Sequence, residues 1–153
     1  MIDPTVFAAT FAALYAGHQV GDHWMQTSCQ AAEKGGAGWS GRAACARHVT
    51  TLTAVKVVCL APVVVLSGMD LHPVALTAGL GVDTVSHYWA DRRTTLARLA
   101  RLLGRSEFYR LGAPRAGRDD NPCLGNGSYA LDQSWHIGWG FVASLIIASG
   151  ATV

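Results

Sequence analysis

Charged side chains are scarce in this chain of 153 residues: Asp, Glu, Lys and Arg make up 14% of it. An average soluble domain has about 25%. Half of the residues are hydrophobic and the mean hydropathy is +0.24. This composition leaves two interpretations open, an Ala/Gly/Val-rich soluble helical protein and a small polytopic membrane protein. The formal net charge of +2 does not decide between these two interpretations.

Paired cysteines are also lacking. The four cysteines, at positions 29, 45, 59 and 123, contain no C-x-x-C pair. The sequence therefore indicates neither a zinc ribbon nor a disulfide framework, and we interpret these cysteines as small apolar fillers. The first seventeen residues lack a basic start and a clean small-residue cleavage site. We therefore expect no removable signal peptide.

Four long apolar segments with helical character follow one another along the chain. Their lengths suit membrane spans, and short connections favour antiparallel neighbours. We therefore predict one all-α domain over residues 1–153, a small polytopic membrane four-helix bundle. The predicted helices cover about 4–26, 40–67, 73–103 and 129–149, with a loop over 112–128.

The end of the third predicted helix continues as a basic amphipathic extension. Leucines at 96, 99, 102 and 103 alternate with arginines, a pattern typical of a helix that lies in an anionic membrane surface. Nucleic-acid binding is the competing interpretation, but no base-reading motif accompanies the arginines. The predicted partners are the lipid bilayer and anionic lipid headgroups, and no protein partner is indicated. The headgroup contacts would be Arg92, Arg93, Arg98, Arg101 and Arg105.

Polar stripes interrupt the apolar helices. Side chains at i, i+4 and i+8 share one helix face, and an unpaired buried charge costs several kcal/mol, so the stripes should contact one another. Lys56 lies on nearly the same face as His48, and a snorkelling lysine explains it as well as a functional one. The stripes are His18, Asp22 and Gln26; Asp83, His87 and Asp91; and Asp132, Gln133 and His136, with His48 at the start of the second helix.

Positive charge is distributed unevenly between the connections. Lys34, Arg42 and Arg47 lie between or at the ends of the first two helices, and eight arginines from Arg92 to Arg118 lie between the last two. The positive-inside rule then places residues 27–47 and 92–128 in the cytoplasm and both termini outside. In an up-down-up-down bundle, the polar ends of all four helices lie at the same cytoplasmic level. The stripes are therefore predicted to line one cavity.

Imidazoles and carboxylates on facing helices are typical of metal sites inside bundles. The candidate ligands of a divalent ion are His18, Asp22, His48, Asp83, His87, Asp132 and His136, with Gln26 and Gln133 orienting them and Asp91 as a candidate general base. Zinc, manganese, iron and magnesium all fit. Two function classes remain open: a membrane-embedded metal-dependent hydrolase with a lipid, phosphoester or peptide-like substrate, and a non-enzymatic ion or proton conductor or accessory subunit with a structural Asp–His network.

The order of these motifs resembles a bacterial membrane-protein family, the one catalogued as domain of unknown function 3307. The resemblance rests on H-x3-D-x3-Q in the first helix, the single His48, an aspartate-histidine third helix and the closing D-Q-x-x-H of the fourth. It covers roughly residues 16–147. Where many members read H-x3-D in the third helix, this chain reads D-x3-H from Asp83 to His87, and Asp91 restores the H-x3-D. The resemblance implies a multi-pass protein of the bacterial inner membrane and no established activity.

Overall fold

The computed structural model describes residues 1–113 and 126–151, and all regular structure in these ranges is helical. The all-α prediction is therefore confirmed. The described residues contain seven α-helices and one π-helical turn, more elements than the four predicted. They are α1 (Pro4–Val20), the π turn (Gly21–Met25), α2 (Ser28–Glu33), α3 (Gly38–Ser67), α4 (Pro73–Asp91), α5 (Thr94–Leu102), α6 (Ser106–Tyr109) and α7 (Gly127–Ser149).

The helix starts follow local sequence signals. Asp3 caps α1, with Pro4 in the first turn. The N–H groups of Val6 and then Thr5 donate to the Asp3 carboxylate and lower the pKa of this group. Thr27 opens α2 with a reciprocal capping box to Gln30. These caps fix the frame in which the polar stripes are presented.

The four long helices pack in a ring. α1 contacts α3 and α7, and α4 contacts α7 and α3. The α1–α3 contact is close because Gly17 and Gly21 face α3: a Cβ at Gly17 would lie 2.6 Å from Lys56 Cα, and one at Gly21 would lie 3.2 Å from Leu52 Cα. Small residues four apart permit such an approach between helix backbones. The approach brings His18, one residue after Gly17, toward the centre of the ring.

The interior of the ring is unusually polar, whereas much of its outside is apolar. Lys56 and Asp83 are 1% and 2% exposed, but Val65 and Leu66 are 76% and 86% exposed. A smaller apolar core lies at the other end of the ring and is formed by Leu14, Ala143 and Ile147. Lys56 and Asp83 therefore lie inside, where such charges must pair.

Two predicted helices are interrupted. The first does not run as a regular α-helix to residue 26, because a π turn begins at Gly21 and Gln26 is already extended. The basic extension is not continuous with the third helix, because α4 ends at Asp91 and Arg93 takes a φ of +55° before α5 begins. That conformation is costly for a non-glycine residue. Most of the predicted 112–128 loop, residues 114–125, lies outside the described residues.

One helix among the described residues, Gly38–Ser67, is long and apolar enough to cross a membrane. Only 22% of its apolar window is buried inside the protein. The core helix of a soluble protein would be mostly buried, so this exposure is a weak indication of membrane association. This finding concerns one helix, so the predicted multi-pass arrangement stays a prediction.

Candidate metal centre

Five elements bring the predicted polar groups together at one end of the ring. α1 supplies His18, the π turn Asp22, α3 His48, α4 His87 and Asp91, and α7 Asp132 and His136. The π turn matters because it changes the helical register just where Asp22 leaves α1, and such turns often mark functional sites. All four imidazoles are at most 3% exposed.

Asp91 lies at the centre of this cluster. Its Oδ2 is 3.2 Å from His48 Nε2 and 3.3 Å from His87 Nε2. Its Oδ1 is 3.8 Å from His136 Nε2. Asp22 approaches from the other side, with Oδ1 3.2 Å from His48 Nε2. The rings of His87 and His136 stack with their centroids 3.7 Å apart.

None of these contacts forms a hydrogen bond of acceptable geometry within the described part of the chain. The Nε2 atoms of His48, His87 and His136, Oδ1 of Asp22 and Oδ2 of Asp91 are buried there without a hydrogen-bond partner, and Oδ1 of Asp91 is paired with the Lys34 ammonium 2.8 Å away. Buried polar atoms are rarely left this way, and each such atom costs about 1–3 kcal/mol. Their donor and acceptor atoms approach one another but do not point along hydrogen bonds.

The spacing of these atoms matches the donors of a metal ion. Two groups of residues share His87, and within each group the ligand atoms lie within 4.8 Å of one another. The groups are Asp22, His48 and His87, and His87, Asp91 and His136. Donor atoms arranged tetrahedrally about 2.0–2.1 Å from an ion are about 3.3 Å from one another. Three of the contacts at Asp22 and Asp91 are 3.2–3.3 Å long. The residues present therefore fit a divalent ion.

The two predicted glutamines contact the cluster as expected of orienting groups. The Gln26 amide nitrogen is 2.9 Å from His48 Nδ1. With the amide turned so that Oε1 faces Nδ1, the ring donates there and keeps its Nε2 lone pair for an ion. Gln133 donates to Asp22 Oδ2 at 2.9 Å and accepts from His18 Nε2 at 3.2 Å.

His18 and Asp83, both predicted ligands, take other positions. His18 Nε2 is engaged by Gln133, and its ring lies beside His87 and His136 with centroids 5.5 and 5.1 Å away. Asp83 forms a buried ion pair with Lys56 at 2.6 Å. Asp83 therefore belongs to that pair, and Lys56 is not a snorkelling lysine, because its ammonium is 2.6 Å from a carboxylate inside the ring.

The Lys56–Asp83 pair gives a stability prediction. Lys56→Met leaves the Asp83 carboxylate buried without its cation, and breaking such a pair typically costs about 3–5 kcal/mol. We expect a large loss of thermal stability in the purified protein. The double variant Lys56→Met/Asp83→Leu should recover most of this loss, because an apolar pair can replace a buried ion pair. Equal stability of Lys56→Met and the parent would contradict the prediction.

Lys34 is the residue of the site that sequence reasoning missed. Its ammonium lies 2.8 Å from Asp91 Oδ1 and 3.7 Å from Asp22 Oδ1, and the residue is 7% exposed. It follows α2, in the connection between the predicted helices 4–26 and 40–67. Lys34 belongs to no polar stripe, because it approaches the site from outside the four long helices. The spacing of residues along a helix therefore could not have identified it.

Arg92 and Arg93, predicted to contact lipid headgroups, fix the α2 segment over the site. Arg92 donates to the backbone oxygens of Lys34 and Gly36, and Arg93 donates to that of Ala31 at 2.7 Å. The cation that pairs with the Asp91 carboxylate is Lys34, whose Nζ lies 2.8 Å from Oδ1.

A polar cavity of about 600 Å³ opens on the cluster. Asp22, Lys34 and Asp91 line its inner part, and Asp132 is on its wall with a side chain 22% exposed and Oδ2 3.4 Å from His136 Nε2. Burial and the nearby Asp132 carboxylate raise the pKa of the Tyr109 hydroxyl, which also lines the cavity. Tyr109 therefore stays protonated and can donate a hydrogen bond.

Comparison with protein-family models, curated proteins and solved structures gave no match. The fold and site thus define a helical protein with a buried Asp–His cluster that could hold a metal ion. The resemblance to the family of domain of unknown function 3307 stays a prediction.

Proposed function

We propose that this protein is a metal-dependent hydrolase whose centre lies at one end of the helical ring. The observation that carries the proposal is the set of buried Nε2 and carboxylate oxygen atoms that approach to 3.2–3.3 Å without hydrogen-bonding one another. A purely structural network would satisfy these atoms directly. A divalent ion could bind the unpaired atoms of one such group, whereas Oδ1 of Asp91 already pairs with the Lys34 ammonium.

The two candidate ligand groups share His87, so we propose one ion rather than two. A donor set with three imidazoles favours zinc, iron or manganese over magnesium, which prefers oxygen ligands. When bound, such an ion polarises a substrate oxygen and lowers the pKa of water. The proposed ligands are Asp22, His48, His87, Asp91 and His136.

Asp132 is the proposed general base, in place of Asp91. Asp91 is 1% exposed and surrounded by imidazoles, so water has little access to it. The Asp132 side chain lines the cavity, and its Oδ2 lies 3.4 Å from His136 Nε2. A base must reach both water and the reacting group, and Asp132 is on the wall of the cavity with its side chain 22% exposed.

The same proposal places the protein in the bacterial inner membrane as a multi-pass protein. Buried charge with exposed Val and Leu is the reverse of a soluble surface, and ionisable groups inside membrane helices usually serve function. Trp24 and Trp39, 82% and 81% exposed near the site end of the ring, fit an aromatic belt. Arg98, Arg101 and Arg105 are exposed on or after α5, where anionic headgroups would meet them.

The topology can be tested with single cysteines placed in a cysteine-free background. We expect a membrane-impermeant maleimide to label position 2 in intact cells, and to label position 105 only after the membrane is opened, because the arginine-rich connections face the cytoplasm. Ile2 and Arg105 are both exposed in the folded protein. Labelling of position 105 from outside the cell would contradict the proposed orientation.

The metal itself is tested by purification without chelators, followed by elemental analysis. We expect about one transition-metal ion per chain and a rise in unfolding temperature when that metal is added back to chelator-treated protein, because binding only to the folded state stabilises it. Absence of stoichiometric metal, together with no thermal response to any of the four candidate metals, would end the hydrolase proposal.

A second candidate function, proton conduction, has its own supporting observation. Polar groups continue from Lys34 at the cavity through His87 and His136 to His18, and a narrow cavity is lined by His18, His136 and Lys56. A proton flux in liposomes that His18→Ala abolishes would favour it. The metal measurement separates the hydrolase from the proton conductor, because proton conduction through this path needs no metal ion.

A further inference from the structure

An apolar groove adjoins the polar cavity. The groove has a volume of about 300 Å³ and lies between α5 and α7. Leu96 lines both the cavity and the groove. A single ligand could therefore occupy both, with a polar part beside the Asp–His cluster and an apolar part along the groove.

The polar cavity carries cationic side chains for an anionic group. Lys34 and Arg93 line it together with the proposed metal ligands. The guanidinium and ammonium groups are the usual partners of phosphate oxygens, and a bound divalent ion would add to this positive charge. Protonated Tyr109 supplies a further donor on the same cavity. Asp22, Asp91 and Asp132 also line the cavity, so a phosphate is favoured once the bound divalent ion adds its charge to the two cations.

The groove beyond Leu96 carries the opposite character. Leu99, Leu103 and Leu131 line it, and Trp139 lies on its wall. Leu103 is 66% exposed, so part of this apolar lining is open at the surface of the described residues. Burying apolar surface stabilises a complex. A hydrocarbon chain is the occupant that suits a long apolar groove leading out of a phosphate-binding cavity.

We propose that the site takes an anionic phospholipid, with the phosphate headgroup in the polar cavity and one hydrocarbon chain in the Leu96–Trp139 groove. This inference rests on the proposed function, because it names the substrate class of the same centre. The supporting features are the shared Leu96, the two cations of the cavity and the apolar lining of the groove.

A second apolar depression provides a matched control. It is lined by Gly81, Val82 and Trp89, and it shares Trp135 and Trp139 with the groove but no residue with the polar cavity. Gly138 lines the groove, and Gly81 lines only the second depression. A Cβ at either glycine meets no atom within 4 Å, so both positions accept a larger side chain.

The experiment measures binding of 1-decanoyl lysophosphatidate by native mass spectrometry of the full-length protein with its metal. Glycerol 3-phosphate tests the headgroup alone, and 1-decanoylglycerol tests the chain alone. We expect lysophosphatidate to bind at least about tenfold more tightly than either, because both parts contribute. Gly138→Phe should weaken its binding by about tenfold, whereas Gly81→Phe should leave it unchanged.

Metal content and unfolding temperature are measured for both glycine variants, which should match the parent. Equal affinities for lysophosphatidate and glycerol 3-phosphate, or equal effects of the two glycine variants, would overturn the lipid proposal while a stoichiometric metal ion kept the hydrolase proposal standing. The opposite result would be binding that depends on the hydrocarbon chain of the lipid, in a protein that holds no metal. The lipid site would stand and the hydrolase proposal would fall.

Discussion

Asp91→Asn is expected to abolish stoichiometric metal binding. Asp91 contacts His48 and His87 through one oxygen and His136 through the other, so no other carboxylate among the described residues touches as many of the imidazoles. An amide has a similar shape but no negative charge, and its nitrogen cannot bind the ion. We expect the metal affinity to fall by more than about 100-fold, beyond the loss typical of a group that only orients a ligand. Elemental analysis and metal titration measure this.

Two controls give the Asp91→Asn result its meaning. Asp70→Asn makes the same chemical change in the exposed turn before α4, at the opposite end of that helix, and should keep the metal. The Asp91→Asn protein should retain its helical circular dichroism, which excludes unfolding as the cause. Metal retention at the parental level in a folded Asp91→Asn protein would remove Asp91 from the ligand set and restore its sequence-based role as a base.

Asp132→Asn is expected to do the opposite, keeping the metal but losing turnover. Its carboxylate lines the polar cavity and lies beside His136, and the ion would be held by the five deeper ligands. Loss of a general base typically lowers the rate about 10²- to 10⁴-fold. The measurement is phosphate release from 1-decanoyl lysophosphatidate and from p-nitrophenyl phosphate, with metal content determined on the same sample.

Asp70→Asn again serves as the matched control and should turn over at the parental rate. If Asp132→Asn loses its metal together with its activity, Asp132 is a ligand, as the sequence interpretation held. If it keeps both, the base lies elsewhere and the role assigned to Asp132 is wrong.

Several features of the site were predictable because helical spacing alone determines them. Asp83, His87 and Asp91 must share a face of any helix that contains them, and the antiparallel order of the helices must bring that face near His48 and His136. The position of Gln133 beside this cluster follows from the same argument, whereas Gln26 contacts His48 from an extended residue after the π turn. No knowledge of packing was needed for these inferences.

Other features depend on backbone conformations that spacing does not specify. The π turn follows α1 at Gly21, and Arg93 has a positive φ between α4 and α5, with its guanidinium donating to the backbone oxygen of Ala31. The Arg93 break ends α4 directly after Asp91 and separates it from α5. Asp91 consequently lies at a helix end among three imidazoles, instead of within a continuous basic helix.

By itself, the sequence determined that the chain is helical, that its polar groups lie on helix faces and that they gather at one level, because apolar periodicity and the cost of an unpaired charge are local properties of the chain. Only the tertiary structure decided which partner each charge takes. Lys56 pairs with Asp83, and Lys34 reaches Asp91 from α2 because Arg92 and Arg93 hold that segment over the site. Pairings between residues distant in sequence depend on how the helices pack against one another, which the spacing of residues along one helix cannot specify.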